Sequence, residues 1–137
     1  MVTRSFSELL IIKLGIYTVN TKELINLIQT TPAEVEFSDV IAVIDQDYDY
    51  TPTQFYNGLG DNEVINEAGS NEGSCKIFAF ADLNDLNESQ TLSCFGKYYR
   101  QDVLLNLGGT DHANIRNFMK FGWGGVHFDN PPLAIKD

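Results

Sequence analysis

The segment Cys75–Leu83, CKIFAFADL, places the strongest constraint on the fold. At about 100° per residue along a helix, its apolar side chains point to nearly every side. Such a helix has no polar face to present to solvent, so the segment predicts a fully buried helix. A buried strand is the alternative, because short apolar runs fit either structure.

The size and charge of the chain limit the classes of partner it can have. Its 137 residues fit one domain, and 43% hydrophobic residues supply a core. A net charge of −10, with only 9 Lys and Arg, argues against binding to phosphate backbones and to anionic membrane surfaces. The sequence also lacks a stretch that is long and apolar enough to span a bilayer. We therefore predict no nucleic-acid partner and no membrane insertion.

The metal-binding residue types do not form a recognisable metal site. The two cysteines and two histidines lack the close paired spacing of structural zinc sites. Asp45, Asp47 and Asp49 alternate, but the glycine and distal glutamate of a calcium loop are missing. We predict no metal and no cofactor. Cys75 and Cys94 are expected to be reduced and buried, with a nucleophilic Cys75 at a helix start as the alternative.

Two helix starts and one short turn between them are predicted in the N-terminal half. Thr21 is expected to cap the helix TKELINLIQ. Residues 31–34, TPAE, have the capping-box spacing and predict a short turn. Ser38 is expected to cap the next helix. Its core-facing stripe consists of Phe37, Val40, Ile41, Ile44 and Tyr48.

An antiparallel hairpin is predicted between residues 48 and 66. Tyr48–Tyr56 alternates aromatic and polar residues and predicts a strand, which Pro52 confines to an edge or a bulge. Asn57-Gly58 marks the following turn. Glu63–Asn66 is then the returning strand.

A long helix is predicted after Asn87, which forms a capping-box pattern with Gln90. It is expected to end at Gly108-Gly109. The residues expected to face the core are Leu92, Cys94, Phe95, Tyr98, Tyr99, Val103 and Leu105. Gly96 lies at the margin of this arc, where another element can approach closely. Arg100 falls on the exposed side.

The last helix is predicted to start at Thr110 or Asp111. Ile115, Phe118 and Met119 are expected to face the core, and Asn117 to point away from it. The FGWGG segment that follows predicts a flexible aromatic turn. Val126–Phe128 then predicts a closing strand, in which His127 has a structural role. Together these patterns predict an α+β fold, mostly helical, with about five helices and a small antiparallel β-hairpin or sheet.

The predicted domain organisation is a single domain at residues 21–130. Residues 1–20 form an N-terminal extension, which we expect to be an extra strand, a packed tail or an upstream segment. An export signal is the alternative for this extension, but Lys13 and Gly15 interrupt its apolar run. Residues 131–137 are expected to be a C-terminal tail.

Two polar segments contain the candidate ligand or partner site. They are the loop NEAGSNEGSC at residues 66–75 and the helix start TDHANIR at residues 110–116. The candidate residues are Asn66, Glu67, Ser74, Cys75, Tyr99, Arg100, Asp111, His112 and Arg116. No catalytic residue is assigned.

Each segment has a structural and a functional interpretation. Asp111 can simply cap a helix beside a packed His112, or the histidine can titrate near neutrality under the influence of Asp111 and Arg116. Gly69 and Gly73 could form a loop whose amides bind an anion, although a Gly-x-x-x-x-Gly-Lys pattern is missing. The simpler interpretation of that loop is that Asn71 or Ser74 caps the next helix.

Several runs of residues resemble the HopJ type III effector family. They include Phe37-Ser38-Asp39, Asn66-Glu67-Ala68-Gly69, Gly73-Ser74-Cys75-Lys76, Phe78-Ala79-Phe80-Ala81, Cys94-Phe95-Gly96, Tyr98-Tyr99-Arg100, Gly109-Thr110-Asp111-His112, Asn114–Met119 and Gly122-Trp123. The resemblance covers about Thr21 to Phe128. It implies a bacterial protein, present in the bacterial cytoplasm and delivered by a type III system into a plant host. It implies no catalytic set.

Two function classes follow from these observations. The leading interpretation is a non-enzymatic interaction module with a protein partner. The alternative is a small enzyme or ligand-binding protein with a polar site made by the two segments. A pocket lined by both segments favours the alternative, and separated segments exclude it. The sequence leaves the oligomeric state open.

Overall fold

The computed structural model describes residues 19–137, which form five α-helices and five short strands joined by turns and loops. The helices are α1 (Thr21–Thr30), α2 (Phe37–Asp47), α3 (Glu72–Leu83), α4 (Glu88–Ser93) and α5 (Ala113–Phe121). The strands are β1 (Tyr48–Tyr50), β2 (Phe55–Asn57), β3 (Val64–Asn66), β4 (His127–Phe128) and β5 (Leu133–Ile135). The predicted α+β, mostly helical class is confirmed. The expectations for residues 1–18 lie outside the described residues.

Helix α3 is the buried centre of the fold, as its sequence predicts. Its buried residues are Cys75, Ile77, Phe78, Ala79, Phe80 and Ala81. The Phe78 ring contacts the rings of Phe55, Phe95, Phe118 and Trp123, with centroids 5.0–6.4 Å apart. The Phe78 side chain is therefore in contact with four parts of the fold: strand β2, the segment after α4, helix α5 and the turn after α5. The alternative of a buried strand for this segment is wrong.

The predicted hairpin forms one sheet together with the predicted closing strand. Strand β2 pairs antiparallel with β3, with Phe55 opposite Asn66, and with β4, with Tyr56 opposite His127. The sheet order is β3-β2-β4. The returning strand and the closing strand are therefore confirmed. This sheet places Asn66, the last residue of β3, just before the loop that leads into α3.

The chain at residues 48–56 forms two strands in separate sheets, so the prediction of one continuous strand is wrong. Strand β1 pairs antiparallel with β5, with Tyr48 opposite Ile135. Pro52 lies in the break between β1 and β2, where its missing N–H removes a ladder hydrogen bond. Residues 131–137, expected to be a tail, contribute β5, and Leu133 is buried.

The cap of the first helix lies one residue before the predicted cap, Thr21. Asn20 is the cap, because its side chain accepts from the Glu23 N–H while the Glu23 side chain accepts from the Asn20 N–H. Thr21 instead donates its N–H and its hydroxyl to Asp47 Oδ2, at 2.8 and 2.7 Å. Asp47, at the end of α2, therefore fixes the start of α1.

The Asp47 carboxylate gives a prediction for acid stability. Burial acts to raise the pKa of Asp47, but hydrogen bonds from Thr21 and Gln46 lower it below the ordinary value overall. A lowered pKa stabilises the fold above about pH 4, and this contribution is lost as the pH falls through the folded-state pKa. We expect Asp47→Ala to cost on the order of 1 kcal/mol at pH 7. The cost should shrink at pH 3.

Urea unfolding at both pH values measures this effect. Asp49→Ala, which removes an exposed carboxylate of β1, is the control and should change stability less. Equal losses for the Asp47 and Asp49 variants at pH 7 would contradict the role assigned to Asp47.

Two other predicted caps are not formed. The Thr31 hydroxyl donates to the Leu27 carbonyl at the end of α1, so it does not cap the short 3-10 turn Pro32–Glu34. Helix α2 starts at Phe37, ahead of Ser38, and has no side-chain cap. The predicted turn and the core-facing stripe of α2 are nevertheless present.

The predicted long helix after Asn87 is interrupted at Gly96. The Asn87–Gln90 capping box is confirmed, but α4 ends at Ser93 and Gly96 has φ +58°. A Cβ on Gly96 would lie 2.7 Å from the Phe37 backbone nitrogen, which explains the close approach expected at this position. A π-helical turn, Tyr98–Val103, follows.

This interruption changes which side chains face the core. Val103 is buried as predicted, but Leu105 is 81% exposed and Tyr98 is also exposed. Arg100, expected on the exposed side, is partly buried and donates to the Pro32 and Val35 carbonyls at 3.3 and 2.7 Å. The predictions for Leu105, Tyr98 and Arg100 are therefore wrong, because they assume one uninterrupted helix.

Helix α5 starts at Ala113, later than predicted. Ile115 and Phe118 face the core, but Met119 is 37% exposed. Asn117, expected to point away, donates to the Asn57 and Asn62 carbonyls at 3.0 and 2.7 Å. The turn after α5 is a 3-10 helix at residues 122–125, and its Trp123 ring packs on Phe78 and Phe118. Among residues 19–137, no helix is long and apolar enough to cross a membrane.

Candidate functional site

The two polar segments singled out from the sequence line one cavity of about 360 Å³. Asn71, Gly73 and Ser74 come from the start of α3, and His112 with residues 113–115 comes from the start of α5. The rest of the lining consists of Phe37, Val64, Phe95 and Tyr98. The cavity therefore has polar groups on two sides and an aromatic wall.

The two helices that open onto this cavity start in the same unusual way. Asn71 and His112, the residues before α3 and α5, both have left-handed backbone conformations with φ 52°, and neither helix has a side-chain cap. The first helical N–H bonds run from Cys75 to the Asn71 carbonyl and from Arg116 to the His112 carbonyl. The earlier N–H groups of each first turn have no partner within their helix.

These N–H groups belong to residues that line the cavity. They are carried by Gly73 and Ser74 in α3 and by residues 113–115 in α5. Each helix also places the positive end of its dipole at this point. Gly73 allows the close packing here, because a Cβ on it would lie 2.8 Å from the Phe37 ring. The cavity therefore lies at the starts of two separate helices.

His112 contributes an imidazole ring to the lining of the cavity. Its Nε2 lies 3.0 Å from Asp102 Oδ2 and 3.8 Å from Asp111 Oδ2. Its ring lies 5.2 Å from the Tyr98 ring, which in turn meets the Phe37 ring edge-on at 5.1 Å. The closest carboxylate to His112 is therefore Asp102, a residue of the π-helical turn that the sequence analysis missed.

Arg116 and Asp111 form a separate group beside the cavity. The Arg116 guanidinium donates to Asp111 Oδ1 and to the Asp111 carbonyl at 2.6 Å, and to the Asn106 carbonyl at 2.9 Å. Its hydrogen bond to Asp111, the largest cause, holds the pKa of that carboxyl below the ordinary value. Asp111 therefore pairs with Arg116 and does not cap α5. Arg116 holds the loop at residues 106–111 and does not line the cavity.

The nine predicted site residues thus separate in the structure. Ser74 and His112 line the cavity, and Asn66 lies beneath it. Glu67 is exposed on the loop before α3, and Cys75 is buried inside that helix. The remaining candidates, Tyr99, Arg100, Asp111 and Arg116, contribute no lining to the cavity.

A buried cluster of asparagines lies under the cavity and was missed. Asn66 and Asn114 exchange two amide hydrogen bonds, at 3.2 and 2.9 Å. Asn71 donates to Asn66 Oδ1 at 2.7 Å, and Asn57 donates to Asn114 Oδ1 at 3.0 Å. Asn57, Asn66 and Asn114 are buried. The cluster connects strands β2 and β3 to the starts of both helices.

The cysteines are predicted to react slowly. Burial raises the pKa of the Cys75 thiol to about 11 and that of the Cys94 thiol to about 12, so the nucleophilic thiolate is scarce at neutral pH. We expect thiol labelling at pH 7.5 to be slow in native protein and complete in denaturant. Labelling of Cys75 in native protein as fast as in denaturant would show that this thiol is accessible and reactive.

The described residues contain no group of three or more His, Cys, Asp or Glu that could hold a metal ion. The polar side chains on the cavity lining are hydroxyls, amides and one imidazole, all of which can take part in hydrogen bonds.

Comparison with known proteins assigns the family. The family model described as HopJ type III effector protein matches residues 21–133. A crystal structure described as an "unknown function protein VPA0580" has a TM-score of 0.82 and 43% sequence identity, covering 88% of this chain and 97% of that chain. The comparison with curated proteins finds no match. Because the family model spans most of the chain, the protein belongs to the HopJ type III effector family.

Proposed function

We propose that this HopJ-family protein binds a small molecule carrying an oxyanion group, such as a phosphate or a carboxylate, in the cavity between α3 and α5. The observation that carries the proposal is the convergence of two uncapped helix starts on one cavity. This convergence favours the ligand-binding alternative over an interaction module. Production in the bacterial cytoplasm and delivery by a type III system are part of the proposal and rest on the family description.

The donors at the cavity support an oxyanion as the recognised group. Backbone N–H groups at a helix start, together with the helix dipole, form favourable sites for negative charge. Here two helices contribute such groups, and the Ser74 hydroxyl and the His112 ring lie on the same lining. An oxyanion accepts several hydrogen bonds at once, so it can satisfy donors from both helices.

The nearby carboxylates each interact with another side chain. Asp111 is paired with Arg116, and Asp102 with His112. Glu72, in the first turn of α3, interacts with the Tyr50 hydroxyl. The net negative charge of the chain therefore does not set the electrostatic potential at the cavity, because fixed backbone dipoles act there at short range.

The size of the cavity favours a small molecule. A volume of about 360 Å³ is at the lower end of the range of small-molecule sites. Phe37 and Tyr98 supply an apolar wall. The carbon skeleton that carries the oxyanion can pack against this wall. The proposed occupant is therefore a compact anionic metabolite rather than a protein segment.

The proposal predicts that inorganic phosphate stabilises the protein and that one added charge removes the effect. Ala113 lies in the first turn of α5 and lines the cavity. Ala113→Asp is compatible with a helix start but places a carboxylate where the anion binds. Bound phosphate at tenfold above its Kd should raise the free energy of unfolding of the native chain by about 1.4 kcal/mol. The Ala113→Asp variant should lose this increase.

Urea unfolding in phosphate and in chloride at equal ionic strength measures the effect. Ala134→Asp adds the same charge on the exposed face of β5 and is the matched control. It also corrects for the general stabilisation that phosphate gives to any folded protein. If phosphate stabilises both variants equally, the cavity does not bind the anion.

A further inference from the structure

We propose that Asn66 is a positioning residue that holds the two helix starts at the spacing the oxyanion requires. This inference rests on the proposed function and assigns a role to a residue that does not itself line the cavity. Asn66 is the last residue of β3 and is 1% exposed. Any effect of Asn66 on binding must therefore pass through its neighbours.

One Asn66 side-chain amide joins both walls of the cavity. Its Oδ1 accepts from Asn71 Nδ2 at 2.7 Å and from Asn114 Nδ2 at 2.9 Å. Asn71 is the residue before α3, and Asn114 is in the first turn of α5. A shift of either helix start would stretch a hydrogen bond to the same oxygen atom. Asn66 therefore couples the positions of the two sets of N–H donors.

The sheet holds this amide in place from the other side. Asn66 Nδ2 donates to the Asn114 side chain at 3.2 Å and lies 3.4 Å from the Phe55 carbonyl of β2. Asn57, also in β2, donates to the Asn114 carbonyl at 2.8 Å. The hydrogen-bonded frame made by Asn57, Asn66, Asn71 and Asn114 is thus tied to a regular sheet. Sites held by rigid elements keep their geometry better than sites held by loops alone.

One polar atom of the cluster has no partner among the described residues. Within residues 19–137, Asn57 Oδ1 is buried and has no hydrogen-bond partner. Buried polar groups without partners are rare in proteins and cost stability, whereas apolar side chains could fill the same space. Local rules of this kind are often broken at functional sites. The positions of Asn66 and Asn114 are explained if their amides set the geometry of the cavity.

Two variants test the role of Asn66. Asn66→Ala removes the bridging amide, and Asn71→Gly removes the link to α3 while glycine keeps the left-handed backbone at φ 52°. We expect each folded variant to raise the Kd for inorganic phosphate about tenfold, the low end of the loss seen when a supporting hydrogen bond is removed behind a metal ligand. Thr91→Val, which removes a buried hydroxyl in α4, should bind phosphate like the unmodified protein.

A measurement without ligand separates this inference from the proposed function. In the ligand-free protein, Asn71→Gly should shift the backbone amide signals of Ala113 and Asn114, which lie on the opposite wall. Unchanged signals there, or phosphate binding within twofold of normal in either variant, would overturn the role of Asn66. If the unmodified chain does not bind phosphate but the amide signals do shift, the proposed function fails and the frame stands.

Discussion

Gly96→Ala is expected to be among the most destabilising single substitutions in the chain. Gly96 has φ +58°, a conformation that costs an L-residue about 1–2 kcal/mol. Its new Cβ would also lie 2.7 Å from the Phe37 backbone nitrogen, and backbone cannot move aside as a side-chain end can. Together the two effects should cost about 2–4 kcal/mol. The same contact positions Phe37, so we also expect the aromatic wall of the cavity to be disturbed.

Two control glycines separate backbone strain from close packing. Gly60 has φ +59°, and a Cβ added there would meet nothing within 4 Å, while Gly108 has open space without positive φ. Gly60→Ala should therefore cost only the strain term, about 1–2 kcal/mol. Gly108→Ala should be near neutral. Urea unfolding of the three variants gives the ranking, and a Gly96→Ala cost no larger than that of Gly60→Ala would contradict the packing argument.

Phe78→Ala is the second substitution with a large expected effect. Phe78 is fully buried at the centre of α3, and its ring contacts four other aromatic rings. Truncation leaves a cavity that these rings cannot readily fill, so the expected cost is about 3–5 kcal/mol. Phe78→Leu should cost less, because much of the volume remains.

Trp123 provides a direct readout of this loss. Its ring packs on Phe78 and Phe118, with centroids 6.4 and 5.0 Å apart, and its fluorescence should report both unfolding and local loosening. As a control, Leu105→Ala removes an exposed side chain and should leave stability within about 0.5 kcal/mol. Similar unfolding midpoints for the Phe78→Ala and Leu105→Ala variants would show that Phe78 is not the centre of the core.

The fold is predictable wherever one local signal decides the structure. The apolar run of α3, the capping box at Asn87 and the hairpin between β2 and β3 all follow from short sequence patterns. The predictions fail where contacts between residues far apart in the sequence decide the local structure. Strand β5 forms because it pairs with β1, more than eighty residues earlier in the sequence. The local pattern places Gly96 inside a helix, because its contact with Phe37 is invisible in that pattern.

The site is predictable as two segments but not as a set of side chains. Ser74 and His112 stand out because polar residues near helix starts are a known signal. Asp102 and the cavity-lining position of Tyr98 are missed, because an uninterrupted helix gives the wrong register after Gly96. Asn66 is a predicted site residue, but its bridging role is missed, because its hydrogen bond to Asn114 joins residues that are 48 positions apart in the sequence. The position of Arg116 beside the cavity could not be predicted, since its partners on the preceding loop depend on the loop conformation.

Backbone amide NMR during a phosphate titration tests the central claim most directly. We expect saturable shifts concentrated at Gly73, Ser74 and residues 113–115, because these N–H groups would donate hydrogen bonds to the anion. Signals of β5, including Ala134, should stay unchanged. All shifting signals should give one Kd, since a single ion contacts both helix starts. Shifts spread over the surface without saturation, or saturable shifts confined to one of the two helix starts, would contradict a shared oxyanion site.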